Sequence, residues 1–352
     1  MSDPSTFKPV YQSSSGIGGF NLLDPADLSF AFDYDHTGSL DHVVLYQPGA
    51  GTIWILKNDK GTFSPVYAQG APGNGIGGYD LASTADRVFA FDYDHSGKLD
   101  HLVLYRPNTG IVWILKNNAG TFNPVFQSSS GIGGFNLLDP NDHAFAFDYD
   151  RSGKLDHLVF YQPGAGTIWI LKNDKGTFSP VYAQGAPGNG IGGYDLASTA
   201  DRVIAFDYDH SGKPDHLVLY RPNTGIVWIL KNDSGTFSPV FQSSSGIGGF
   251  NLLDPNDHAF AFDYNKNRKL DHLVFYQPGA GTIWILKNVK GTFSAVYAQG
   301  APGVGIGGYD LASTADRVYP FAYGHGLDQA YLVLYRPNTG IIWILENNNP
   351  KD

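Results

Sequence analysis

The chain has 352 residues, a net charge of −10, 44 glycines, 23 Phe, 21 Tyr, six Trp, one Met and no Cys. Glutamate occurs only at Glu346, and a chain this poor in Glu and Met does not suit a helix-rich or Rossmann-type protein. Aromatic residues with Gly, Asp and Asn are typical of strands joined by tight turns, and the lack of cysteine excludes disulfides.

The charge and the N-terminal segment also limit where the protein can work. A chain at −10 without a basic cluster should repel nucleic acid, and no apolar stretch is long enough to span a membrane. Residues 1–12 contain neither a basic cluster nor an apolar run, so we expect no signal peptide. A soluble protein is therefore expected, either cytoplasmic or released by a route that needs no signal peptide.

Two kinds of internal repeat alternate along the chain. The motif FDYD begins at Phe32, Phe91, Phe147 and Phe206, and altered copies begin at Phe262 and Phe321, at spacings of 59 and 56 residues in turn. One repeat opens with SSSGIGGFNLLDP and contains YQPGAG, whereas the other opens with QGAPGNGIGGYDLASTADR and contains YRPNTG. We call them Gln-type and Arg-type repeats after the residue before this proline. Three 115-residue pairs fill the chain.

Each repeat predicts four short antiparallel strands. In the first repeat they are Ser29–Tyr34, His42–Tyr46, Thr52–Lys57 and Thr62–Tyr67, separated by Gly- and Asp-rich turns. Such units, repeated every 50–60 residues, are typical of an all-β propeller. We expect one domain over 1–352 with six blades and pseudo-threefold symmetry, seven blades being the alternative. The expected blades are about 27–68, 86–127, 142–183, 201–242, 257–298 and 316–346.

The two ends of the chain predict how the ring closes. The sixth repeat stops after its third strand, whereas Phe7–Tyr11 matches the fourth strand of the other repeats. We therefore expect residues 7–12 to complete the last blade, which would leave few open sheet edges.

One tryptophan in each repeat is a candidate binding residue, because an indole face can bind the apolar side of a sugar ring. Simple packing between blades is the alternative role. These tryptophans are Trp54, Trp113, Trp169, Trp228, Trp284 and Trp343.

Polar residues are expected on the same rim as the tryptophans, in pockets between adjacent blades. The Arg-type repeats supply Arg106, Arg221, Arg336, Tyr79, Tyr194, Tyr309, Asp80, Asp195 and Asp310. The Gln-type repeats supply Gln47, Gln162, Gln277, Asn21, Asn136 and Asn251. The GIGG loops let backbone groups approach a ligand, although turn geometry alone also explains their glycines. Two classes of site are expected, one with Arg and one with Gln.

The DxDxxGxxD turns resemble part of a calcium-binding loop. The matching carboxylates are Asp33, Asp35, Asp41, Asp92, Asp94, Asp100, Asp148, Asp150, Asp156, Asp207, Asp209 and Asp215. Calcium needs six to eight oxygens, yet these turns lack the bidentate glutamate of such loops, and the fifth turn carries Lys266 and Arg268. No cofactor is expected, and calcium is the alternative that this pattern leaves open.

Asp-His pairs recur at the start of the second strand, from Asp41-His42 to Asp271-His272. Adjacent strand residues face opposite sides, so we do not expect these pairs to act as acid–base dyads. Nearly every polar group occurs in three to six copies, and a two-glutamate glycosidase centre needs more than Glu346. The sequence therefore predicts a protein without catalytic activity.

The combination of DHLVLYRP, WILKN and GIGGYDL resembles the bacterial fucose-binding β-propeller lectins of the Photorhabdus lectin family, and the resemblance covers essentially the whole chain. More distantly, the repeat is similar to a mushroom propeller lectin and to integrin-type propeller repeats. The resemblance implies an oligomeric lectin that binds fucose-like or O-methylated sugars between blades. Some members have seven blades, and the disulfide-linked assembly of one relative has no counterpart in a chain without cysteine.

Two functions follow from the sequence. The first is multivalent carbohydrate binding, in which several weak sites on one rim raise avidity. The second is a protein-interaction scaffold in which the repeats serve only the fold.

Overall fold

The structure is a computed structural model that describes residues 6–69, 74–184, 189–299, 304–324 and 326–349. Its 24 strands form six four-stranded antiparallel sheets, and the predicted six-bladed propeller is confirmed. No helix in these ranges could cross a membrane.

The strands follow one another in chain order. The first half contains β1 (Phe7–Ser13), β2 (Leu28–Phe32), β3 (His42–Gln47), β4 (Thr52–Asp59), β5 (Thr62–Ala68), β6 (Arg87–Phe91), β7 (His101–Arg106), β8 (Ile111–Asn118), β9 (Thr121–Ser128), β10 (His143–Phe147), β11 (His157–Gln162) and β12 (Thr167–Asp174). The second half contains β13 (Thr177–Ala183), β14 (Arg202–Phe206), β15 (His216–Arg221), β16 (Ile226–Asp233), β17 (Thr236–Ser243), β18 (His258–Phe262), β19 (His272–Gln277), β20 (Thr282–Val289), β21 (Thr292–Ala298), β22 (Arg317–Phe321), β23 (Tyr331–Arg336) and β24 (Ile341–Asn347).

Blades 1 to 5 each use four consecutive strands, starting at β2, β6, β10, β14 and β18. Blades 1, 3 and 5 are Gln-type, and blades 2, 4 and 6 are Arg-type. Within each blade the first strand is innermost and the fourth is outermost. In every one of these five blades a β-bulge interrupts the pairing of the third and fourth strands. The bulge lies beside Pro65 in blade 1, where an outer edge strand tolerates a residue without an N–H.

Blade 6 joins the two ends of the chain. Its sheet has the order β1-β24-β23-β22, with Phe7 opposite Asn347 and Gln12 opposite Trp343. The closing strand predicted over residues 7–12 therefore occupies the fourth position. Phe7 is buried against Phe262 and Tyr297 of blade 5, so the closing strand also contributes to the core.

The core consists of six apolar layers, one between each pair of neighbouring blades. Between blades 1 and 2, for example, Val44 and Ile55 pack with Leu102 and Leu115. Both faces of each second strand are buried, which explains its nearly continuous apolar sequence.

A side-chain hydrogen bond crosses every blade junction on the side of the third hairpin. The Asn117 side-chain amide donates to the Tyr34 carbonyl of the preceding blade at 2.6 Å, and its oxygen accepts from Gly120 N–H at 2.8 Å. The same inter-blade bond is made by Asn58, Asn173, Asn232, Asn288 and Asn347. One buried amide thus caps a hairpin and links two blades.

Candidate functional site

Each Arg-type blade carries one of three equivalent pockets, with volumes of 450 Å³ on blade 2, 410 Å³ on blade 4 and 610 Å³ on blade 6. The pocket on blade 2 is lined by Gly78, Tyr79, Asp80, Arg106, Ile111, Trp113, Gln127, Ser128 and Ser129. The pocket on blade 4 repeats this set, and the pocket on blade 6 takes Gln12 to Ser15 from the start of the chain. The predicted Trp, Arg, Tyr and Asp therefore lie together in the Arg-type blades.

Two carboxylates fix the guanidinium in the blade 2 pocket. Arg106 Nε donates to Asp86 Oδ1 at 2.8 Å, and Nη2 donates to Asp86 Oδ2 at 2.9 Å and to Asp80 Oδ1 at 2.5 Å. The guanidinium carbon also lies 5.6 Å from the centre of the Tyr79 ring. Arg221 and Arg336 make the corresponding contacts. The Arg106 side chain is 17% exposed, and its hydrogen bonds to the two carboxylates hold the guanidinium in one orientation.

Burial and hydrogen bonding shift the pKa values of this group. Burial and the hydrogen bond to Asp86 raise the pKa of Tyr79, and the Tyr79 hydroxyl donates to Asp86 Oδ1 at 2.7 Å. Hydrogen bonding to Asp86 raises the pKa of Arg106. Burial raises the pKa of Asp80, but hydrogen bonds from Ala82 N–H and Arg106 outweigh that effect and lower it overall. At neutral pH the pocket thus presents an ion pair beside a neutral phenol.

The indole of Trp113 forms the apolar wall. It is half-buried and meets the Tyr79 ring edge-on, with centroids 5.7 Å apart. A Cβ added to Gly78 would lie 3.4 Å from the indole, and one added to Gly75 would lie 1.7 Å from the Tyr79 carbonyl oxygen. These GIGG glycines are therefore explained by loop geometry, since the Ile76–Tyr79 bridge closes the loop on itself.

We expected pockets between adjacent blades, whereas each of these three lies on a single blade. Each is lined by strands of one blade together with the connections that lead into and out of it. The preceding blade holds the leading loop instead, because Gly75 N–H donates to Gly51 O and Gly49 N–H donates to Leu81 O, both at 2.8 Å. Blade 1 thus shapes the blade 2 pocket without lining it.

The Gln-type blades place the corresponding residues differently. Trp54 is half-buried and meets Phe20 edge-on, but its partner on the outer strand is Ala68. The Asn21 side chain is exposed, and its oxygen accepts from Leu23 N–H at 3.2 Å. The connections out of these blades include residues 70–73, 185–188 and 300–303, so part of the predicted loops Gln69–Arg87, Gln184–Arg202 and Gln299–Arg317 lies outside the described residues.

Sequence reasoning missed the residues that the outer strand contributes to each Arg-type pocket. Gln127 lies directly opposite Trp113, and Ser128 and Ser129 follow it. The sequence analysis assigned these serines to the start of the next repeat. Strand pairing nevertheless places Ser128 and Ser129 beside Trp113. Asp86 was also missed, and its signal was an aspartate at the same position of every repeat.

The DxDxxG turns use most of their carboxylate oxygens within the protein. Asp33 is buried, and its two oxygens accept from Thr37 N–H at 2.9 Å and Gly38 N–H at 2.7 Å. Asp100 accepts from His101 of its own blade and from His36 of the preceding blade. Ligand atoms of Asp35, Asp41 and His42 lie within 4.8 Å of one another, and three other turns repeat this grouping. No finding tests the expectation that the protein has no cofactor, and calcium stays the alternative at these turns.

The Asp-His pairs contradict the expectation that neighbouring residues face apart. Asp100 Oδ1 lies 2.7 Å from His101 Nδ1, because the strand begins at His101 and the aspartate belongs to the preceding turn. Burial raises the pKa of Asp100, but the bonds to His101 and His36 outweigh it and lower that pKa overall. The pair joins neighbouring blades, since His36 lies 2.6 Å from the same carboxylate.

No protein-family profile and no curated protein sequence matches the chain. Solved β-propellers do match it. A lectin from Agrocybe aegerita that recognises non-reducing terminal N-acetylglucosamine is 19% identical, with a TM-score of 0.54 over 92% of this chain and 80% of its own. BBS1N, solved in complex with ARL6DN, is 11% identical, with a TM-score of 0.52 over 99% of both chains. These similarities place the chain in the β-propeller class.

The prediction that the protein has no catalytic activity is corrected here. A periplasmic gluconolactonase from Pseudomonas aeruginosa also has this type of fold, at 11% identity and a TM-score of 0.40 over 84% of this chain and 70% of its own. The comparison concerns the fold alone, so it assigns no reaction to this chain.

Proposed function

We propose that the chain is a multivalent carbohydrate-binding protein whose Arg-type pockets each hold one sugar. The observation that carries the proposal is a half-buried indole beside a fixed Arg–Asp pair, built three times from different parts of one chain. Each pocket falls within the range of about 300–1,000 Å³ that is typical of small-ligand sites.

The residues that line the pocket suit both the apolar C–H face and the hydroxyl groups of a sugar. The C–H face of a pyranose packs on an aromatic ring, and here Trp113 and Ile111 supply an apolar wall. Sugar hydroxyls need fixed donors and acceptors. Asp80 is 56% exposed and uses Oδ1 for its bonds to Arg106 and Ala82, which leaves Oδ2 as an acceptor at the rim.

Fucose-like and O-methylated sugars are the class that we propose. This choice comes from the resemblance to the Photorhabdus fucose-binding lectins, and the apolar wall supports it. A C6 methyl or an O-methyl group adds apolar surface that can pack against Ile111 and Trp113. Three pockets on one molecule would raise avidity for clustered glycans.

A glycan array followed by calorimetric titration with L-fucose tests the proposal. Replacing Trp113, Trp228 and Trp343 by Ala together should weaken fucose binding by at least about fivefold, since a stacked aromatic contact is worth about 1 kcal/mol or more. The matched control replaces Trp54, Trp169 and Trp284, which lie in Gln-type blades, and should retain binding at the Arg-type pockets.

Two results would contradict the proposal. One is an array without any signal from a folded protein, together with capture of a protein partner, which would favour the scaffold alternative. The other is a crystal soaked with fucose in which the sugar lies away from Trp113 and its two equivalents.

A further inference from the structure

A buried aspartate stands at the same position in the leading loop of every blade. These residues are Asp27, Asp86, Asp142, Asp201, Asp257 and Asp316, and each is at most 2% exposed. Burying a carboxylate is costly unless hydrogen bonds or an opposite charge compensate it. The two blade types differ in how they meet this requirement.

In the Arg-type blades four donors satisfy the carboxylate. Asp86 Oδ1 accepts from Arg106 Nε and from the Tyr79 hydroxyl, and Oδ2 accepts from Arg106 Nη2 and from Ser83 N–H. Both oxygens are therefore paired, and a guanidinium neutralises the charge.

In the Gln-type blades one donor of the four is present. Asp27 Oδ2 accepts from Asp24 N–H at 3.0 Å, whereas the buried Oδ1 has no hydrogen-bond partner among the described residues. Asp142 and Asp257 repeat this arrangement. Three sequence differences accompany the loss of these donors. Phe20 occupies the position of Tyr79, and Gln47 occupies the position of Arg106. The third exchange, Asn21 for Asp80, removes the exposed acid.

The hydrogen bond from Asp24 N–H to Asp27 Oδ2 corresponds to the bond from Ser83 N–H to Asp86 Oδ2, so the two carboxylates have the same orientation. Oδ1 of Asp27 therefore faces the position that the guanidinium occupies in an Arg-type blade. Burial raises the pKa of Asp27 to about 6, and the charged side chain that adds to this shift is Asp24, also an acid. In blade 2 the guanidinium also contacts Asp80, and the residue that corresponds to Asp80 in blade 1 is Asn21, which is exposed.

We infer that each Gln-type leading loop forms a binding site for a small organic cation that carries N–H donors, a guanidinium or a primary ammonium group. Such a group would give Oδ1 the charge and hydrogen bonds that Arg106 gives to Asp86. The inference does not depend on sugar binding, and it assigns the three Gln-type loops a ligand class of their own.

Methylguanidinium is the probe, titrated calorimetrically into the full chain at about pH 7.5, where these carboxylates are ionised. Tetramethylammonium at equal ionic strength is the control, because it carries the same charge without an N–H donor. We expect saturable binding of three methylguanidinium ions per chain and none of tetramethylammonium.

Two variants locate the site. Substituting Asp27, Asp142 and Asp257 by Asn together should weaken binding at least tenfold, in line with the loss of a charge-assisted hydrogen bond of about 1.5–3 kcal/mol. The double substitution Gln47→Arg and Phe20→Tyr gives blade 1 the Arg-type residues, so the introduced guanidinium should pair with Asp27 and occupy the site. This variant should bind two ions instead of three and melt at a higher temperature than the wild type.

Three results would overturn the inference. The first is no saturable binding by the wild type, which would mean that water or a proton satisfies Oδ1. The second is equal binding of both cations, which would indicate general charge attraction. The third is undiminished methylguanidinium binding by the folded Asn variant.

Discussion

The Gln-type and Arg-type blades have the same backbone fold but different side chains on the rim that carries the leading loops. Both types have the same strand order, the same bulge and a buried aspartate in the leading loop. They differ where Arg106, Tyr79 and Asp80 of blade 2 correspond to Gln47, Phe20 and Asn21 of blade 1. Residues that set the fold are therefore shared, and a few exchanges at the rim decide whether a buried charge is neutralised within the blade.

The largest expected effect comes from removing the strand that closes blade 6. Deleting residues 1–12 exposes an edge of β24 and removes Phe7 from the core beside blade 5, so the melting temperature should fall by at least several degrees. It also takes Gln12 from one Arg-type pocket. Thermal melting followed by circular dichroism measures this effect, and an unchanged melt would show that β1 does not close the ring.

The second prediction compares the same substitution in the two blade types. Asp201→Asn leaves Arg221 without its buried partner and should lower the free energy of unfolding by about 3 kcal/mol. Asp142→Asn removes a carboxylate that has no cation partner within the described part of the chain, so it should lower the free energy of unfolding far less at neutral pH. Urea unfolding of both variants measures the difference. Equal decreases in the free energy of unfolding of the two variants would contradict the proposed difference between the blade types.

The third prediction concerns pH. Burial raises the pKa of Asp142 to about 6, above the ordinary value of 3.8 that it has when unfolded. As pH rises from about 4 to 6, the unfolded chain loses this proton before the folded protein does. Stability contributed by the protonated form is therefore lost across that range.

Asparagine does not titrate, so the stability of Asp142→Asn relative to the wild type should increase with pH. The increase should reach about 2.5 kcal/mol between pH 4 and pH 7.5, since each pKa unit corresponds to about 1.4 kcal/mol and the unfolded carboxyl is already partly ionised at pH 4. Unfolding of both proteins at matched pH values measures it. A difference that stays constant with pH would mean that this carboxylate is not desolvated.

The smallest effect is expected from a metal chelator. The buried carboxylates of the DxDxxG turns already accept from backbone N–H groups, as Asp92 does from Ser96 and Gly97. We expect EDTA to leave the melting temperature and fucose binding unchanged. A lower melting temperature that calcium restores would instead assign these turns a metal.

The fold could be predicted from the sequence because its signals are local and repeated. Turn residues mark each hairpin, strand lengths are uniform, and the match between Phe7–Tyr11 and the fourth strands reveals the closure. The grouping of Trp113, Arg106 and Asp80 was also predicted. The leading loop and the turn between the second and third strands lie on the same rim of a propeller, and these residues are in or next to them.

The remaining features depend on pairing and on three-dimensional neighbours. The contribution of Gln127 follows from its register opposite Trp113 across the sheet, which a single repeat does not reveal. The Asp100–His101 contact was missed because face alternation was applied to a residue that precedes the strand. The unpaired oxygen of Asp27 appears only when its neighbours are compared with those of Asp86.

The number of complete Arg-type pockets depends on the pairing of the closing strand β1 with β24. Blades 2 and 4 build their pockets from consecutive segments, whereas the third pocket combines Gln12 to Ser15 with Trp343, more than three hundred positions later. A chain whose ends have not met would therefore display two complete pockets. If the pockets bind sugars as proposed, a surface that must be contacted at three points at once would retain only molecules in which β1 has paired with β24.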